Sequence, residues 1–103
     1  MTMQEMQKQI YQNKIAKGFN LTNVELEFCY IYGELGEAYE AYYKKKDDLG
    51  GELADVGIYL MGLAEILGFS LYDEIKKKMD VNAKRVYKFD EKGRPYKEKQ
   101  GSK

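Results

Sequence analysis

The sequence predicts a small all-α protein, and three observations carry that expectation. Apolar residues recur at steps of three and four in four segments. Capping residues and glycines fall between those segments, where helices start and stop. A single Pro interrupts the 103 residues, and no run alternates as a half-buried strand does. The length fits one domain, 44% of residues are hydrophobic and 14% aromatic, so a core can form.

The first helix is expected over 3–17, with Met3, Met6, Ile10 and Ile15 loosely at helical spacing and Gly18 ending it. Thr22-Asn23-Val24-Glu25 reads as a capping box that opens a second helix over about 23–45. Its apolar stripe is Val24, Phe28, Ile31, Leu35, Ala38, Tyr39 and Tyr42. Gly50-Gly51 is read as a break before a third helix over about 52–67. That helix is apolar nearly all round, which implies cover on several sides and hence a partner subunit. Gly57 and Gly62 within it suit close helix approach. Gly68 ends it, and Ser70, with Asp73 three residues on, caps a fourth helix carrying Leu71, Ile75, Met79, Val81 or Asn82, and Val86. The expected domain is 1–88, a four-helix bundle that oligomerises. Residues 89–103 form a polar tail expected to be loose.

Missing residue types exclude several chemistries. The chain has no His, which removes His-based triads, His-ligated zinc and the Glu-x-x-His di-metal site of oxygen-activating bundles. Cys29 is the only Cys and reads as a small buried hydrophobe among Phe28, Tyr30 and Ile31. The 17 basic and 17 acidic residues cancel, which argues against a polymeric nucleic acid as partner. The polar N-terminus lacks a signal-peptide core, and the longest uncharged run is too short to span a membrane. A cytoplasmic location with no membrane partner is expected.

Charge is unevenly spread. Residues 25–55 hold nine acids against three lysines, net −6. Glu34-x-x-Glu37 lies mid-way along the second helix, and Glu52-x-x-Asp55 opens the third. Residues three apart share a helix face. An antiparallel pairing of the two helices lets the four carboxylates converge, and their repulsion is relieved by a hard divalent cation. Oxygen ligands alone suit Mg²⁺, with Mn²⁺ as an alternative. Tyr59, four residues after Asp55, projects along the same face. Lys78, Asn82 and Arg85 step by four and three on the fourth helix and offer a grip for phosphate oxygens.

Together these blocks resemble a family. GELGEAYEAY, then GGELADVGIYLMGLAEILG, then KKKMDVNAKRVY are similar to the MazG-like all-α nucleoside triphosphate pyrophosphatases, small members similar to dCTP pyrophosphatases included. The likeness covers about 18–88. Gly33 stands where many members carry a first glutamate.

The resemblance implies a four-helix fold assembled as a homodimer or a dimer of dimers. It implies hydrolysis of a nucleoside triphosphate to monophosphate and pyrophosphate. Glu34, Glu37, Glu52 and Asp55 would hold Mg²⁺, with Glu37 and Glu52 in catalysis, Glu37 on the attacking water. Lys78, Asn82 and Arg85, with Tyr59, would meet the phosphates. Phe19 and Tyr42 or Tyr43 would hold the base. The competing expectation is a non-catalytic helical module whose acidic face binds a metal or a partner.

Overall fold

The computed structural model describes residues 1–97. Met1–Tyr72 form one compact unit, and a second begins at Asp73. The elements are α1 (Met3–Ala16), α2 (Val24–Tyr43), α3 (Leu49–Leu67), α4 (Leu71–Lys84) and a strand pair, β1 (Tyr87–Phe89) with β2 (Pro95–Lys97). The all-α expectation therefore holds for the described residues apart from one short hairpin. Among those residues no single helix is long and apolar enough to cross a membrane.

Local chemistry accounts for the helix ends. Thr2 Oγ1 accepts from the Glu5 amide at 3.0 Å, and Glu5 Oε1 accepts from the Thr2 amide at 2.7 Å, a reciprocal capping box. At α2 the cap is Asn23, whose Oδ1 accepts from the Leu26 amide at 3.0 Å, rather than the Thr22–Glu25 pair. Asn20 fastens that cap from outside by bonding both backbone groups of Asn23. Gly50-Gly51 does not break the chain. Both lie in the first turn of α3, and a side chain at 51 would collide with the Asp48 carboxylate folded over that turn. Gly68 closes α3 at φ 84°, a left-handed position that favours glycine.

The core lies in the first unit, where α2 packs on α3 and α1 packs on α3. The α2 stripe facing inward is Glu27, Ile31, Glu34, Ala38 and Ala41, spaced four, three, four, three. This corrects the expected stripe: Phe28, Leu35, Tyr39 and Tyr42 are exposed, and Cys29 is exposed too. Alanines at the seam let the two helices approach closely, so the larger apolar side chains are turned away from it. The α1 stripe is likewise Met3, Gln7, Ile10 and Lys14, with Met6 and Ile15 outside.

Polar groups join the helices as much as apolar ones do. The buried hydrophobic side chains among the described residues are Ala38, Ala41, Leu63 and Ala64, a small core. Buried Gln7 donates to Glu65 Oε1 at 2.9 Å and to the Phe69 carbonyl at 2.7 Å, and its Oε1 accepts from the Leu71 amide at 3.0 Å. One amide side chain thus satisfies an acceptor at the end of α3 and an orphan donor at the start of α4. Gly62 admits α1, since a Cβ there would stand 3.2 Å from Lys14 Cδ, whereas Gly57 has nothing within 4 Å.

In the second unit, Arg85 and Val86 fall beyond the end of α4. The segment expected to be loose instead pairs Tyr87 with Lys97, Lys88 with Tyr96 and Phe89 with Pro95. Asp90 organises the turn: Oδ1 accepts from the Lys92 and Arg94 amides, Oδ2 from Arg94 Nε, and Gly93 takes φ 77°. The expected tail also includes 98–103, which lie outside the described residues.

Candidate functional site

Two inward-facing helix surfaces bring the acids together. Glu34 is on the α2 stripe that meets α3, and Glu37 is three residues on, at its edge. Glu52 lies in the first turn of α3, which the α2–α3 packing sets opposite. Glu34, Glu37 and Glu52 can each bring a carboxylate oxygen within 4.8 Å of the other two. Glu34 and Glu52 are half-buried and Glu37 is exposed, so the cluster opens to solvent on one side. Asp55 is exposed and outside this triad, yet close enough for its charge to act on Glu34.

The electrostatics carry the mark of crowded anions. Burial, then the charges of Glu37, Asp55 and Glu52, push the Glu34 carboxyl above its ordinary value, and a hydrogen bond with Glu37 acts the same way. Such a set fits a hard divalent cation, which would be held by Glu34, Glu37 and Glu52 with oxygen donors only. The consequence for stability has a definite sign. A carboxyl whose folded pKa is raised weakens the fold once it ionises, so the penalty is absent at low pH and builds as pH rises. Relative to Glu34→Gln, the metal-free wild-type protein should gain thermal stability as pH falls through the carboxylate range. Over the same fall the affinity for a divalent cation should drop. Melts in chelator and Mn²⁺ titrations across that range check both directions.

Tyr59 adjoins the cluster. Burial first, then Glu34, Glu27, Tyr30 and Asp55, raise its phenol above the ordinary value. Its ring also lines a groove of about 410 Å³ between α1 and α3, with Ile10, Asn13, Lys14, Phe19 and Ile58. Phe19 is half exposed at the groove, whereas Tyr42 and Tyr43 are exposed near the end of α2 and are not among its lining residues. Lys78 and Asn82 are exposed on α4, and Arg85 is half-buried just past it. These three belong to the second unit.

The chain matches no family model, no curated protein and no solved structure.

That geometry includes residues the sequence did not point to. Lys14 and Glu27 form a buried ion pair at 2.9 Å, and Gln7 ties α1 to the α3–α4 junction. Their sequence signal is weak. Gln7, Ile10 and Lys14 step by three and four, but polar residues on such a stripe read as its edge, not its centre.

Proposed function

We propose that the protein is a divalent-cation-dependent nucleoside triphosphate pyrophosphohydrolase, releasing monophosphate and pyrophosphate. The observation that carries this reading is the convergence of Glu34, Glu37 and Glu52 across the α2–α3 seam. The same acids belong to the motif blocks that resemble the MazG-like pyrophosphatases. The apolar groove beside them, with Phe19 and Tyr59 in its wall, suits a flat base.

In this reading Glu34, Glu37 and Glu52, joined by Asp55, would hold Mg²⁺ or Mn²⁺. The cation would neutralise the triphosphate and lower the pKa of bound water. Exposed Glu37 orients the attacking water and takes its proton. The water oxygen bonds to the α-phosphorus, the α–β anhydride bond breaks, and the bridging oxygen leaves with pyrophosphate. Phe19 stacks on the base, with Tyr42 and Tyr43 as further aromatic candidates.

The test is a hydrolysis panel of NTPs, dNTPs and modified forms with Mg²⁺ or Mn²⁺, products separated by chromatography. Monophosphate plus pyrophosphate supports the reading. No turnover by folded, cation-loaded protein across the panel overturns it in favour of a binding module.

The reading includes a homodimer or a dimer of dimers. Phe28, Leu35, Tyr39 and Tyr42 form a large exposed apolar stripe on α2, and Leu53, Ile58 and Leu60 are exposed on α3. Surfaces of this kind mark interfaces. Light scattering should give two or four times the chain mass of 12.0 kDa, and a monomer mass would overturn the assembly.

A further inference from the structure

A buried polar network surrounds the Lys14 ammonium beside Tyr59, and the proposed reaction does not use it. Lys14 Nζ stands 2.9 Å from Glu27 Oε1, with side chains only 9% and 1% exposed. The second Glu27 oxygen accepts from Asn20 Nδ2 at 2.9 Å, so both carboxylate oxygens are engaged. The aliphatic stem of Lys14 passes over Gly62, where a Cβ would crowd it. Its ammonium stops 5.8 Å from the centre of the Tyr59 ring, within cation–π range. From α2, Tyr30 meets the same ring edge-on at 5.9 Å. Tyr59 is thus held from α1 and α2 at once. The charges of Glu34, Glu27 and Asp55 all act on its phenol.

A pair this buried is a poor source of net stability, because desolvation offsets most of its attraction. Apolar residues would fill the same space at similar or lower free energy. What an ion pair adds is a fixed geometry: an ammonium anchored by Glu27 can stand in only one place against the ring.

We infer that the buried Lys14–Glu27 pair is a positioning device for Tyr59, fixing the ring where the groove meets the acid cluster. Lys14 and Glu27 are positioning residues that act on the cluster through Tyr59. The bearing on cation binding rests on the function proposed above, whereas the hold on Tyr59 does not.

The test uses the full chain with ¹³C-labelled tyrosine rings, the Tyr59 resonance being assigned by its loss in Tyr59→Phe. Lys14→Met combined with Glu27→Gln removes both charges and orphans neither. Circular dichroism checks that the helices remain. The expected result is a Tyr59 resonance displaced toward its random-coil position, while that of exposed Tyr32 stays in place. Mn²⁺ affinity should fall about tenfold, as for other outer-shell changes. In a Tyr59→Phe background the same pair of changes should leave Mn²⁺ affinity unaltered.

An unmoved Tyr59 resonance in the folded double variant overturns the proposal. So does an equal loss of affinity with and without Tyr59→Phe. If the wild-type chain binds no Mn²⁺, the cation reading fails instead, and the ring resonance alone decides the positioning claim. Should the double variant unfold, Gly62→Ala keeps both charges and crowds only the Lys14 stem. It should displace the Tyr59 resonance, and an unmoved resonance there overturns the proposal equally.

Discussion

Glu34→Gln and Glu52→Gln should each lower hydrolysis by roughly 100-fold or more, beyond the cost of an outer-shell change, while raising the thermal stability of the metal-free protein. The two effects have one cause. Each carboxylate crowds the others, so removing a charge relieves repulsion in the free protein. The same charge would be a ligand, so its removal weakens the cation site. Mg²⁺ at a hundred times its Kd should stabilise the wild type by about 2.7 kcal/mol, and either variant by much less. Activity and stability moving in opposite directions is the signature of a site under strain for function. An ordinary solvated acidic face predicts neither the gain in melting temperature nor its reversal by Mg²⁺. Paired melts of the three proteins, with chelator and with Mg²⁺, measure both. Variants that melt where the wild type melts in both conditions would remove the cation from the proposal.

The helix order was legible because punctuation is local. Asn23, Gly18 and Gly68 act within a few residues of themselves, and periodicity adds up along each helix. Which face turns inward was less legible. On α2 the bulky apolar residues suggest the stripe through Phe28, Leu35 and Tyr39, yet the seam runs through Glu27, Glu34, Ala38 and Ala41. Spacing singles out the acids, but it does not say that Glu34 and Glu52 are less exposed than Leu35 and Leu53 beside them. Gly50-Gly51 shows a second limit. Glycines break helices in isolation, and here both lie in the first turn of one, where the Asp48 carboxylate occupies the space a side chain at 51 would take. The hairpin at 87–97 had its signal in the Asp90 and Gly93 turn, hidden by the polar composition around it. Lys14 and Glu27 are thirteen residues apart on different helices, and no local spacing pairs them.

Lys14→Met alone should be the most destabilising single change in the first unit, costing roughly 3–5 kcal/mol. The loss does not come from the pair's own strength. Removing the ammonium leaves Glu27, 1% exposed, with a charge that only the Asn20 amide still meets. α1 is also held on α3 by Gln7 and Ile10, so it does not easily move to let water in. For a domain with so small an apolar core, 3 kcal/mol is a large share of a total of about 5–15 kcal/mol. At about 4–8 °C per kcal/mol, the melting temperature should fall by 12 °C or more. Glu27→Gln in the same background should restore most of it, because the orphaned charge goes while an acceptor for Asn20 remains. Urea melts of the wild type, both single variants and the double variant give the coupling directly. A coupling of several kcal/mol places the cost in the unpaired charge, and near-additive losses would place it in the packing of the Lys14 stem against Gly62. Only the first outcome is consistent with a pair kept for where it puts its atoms.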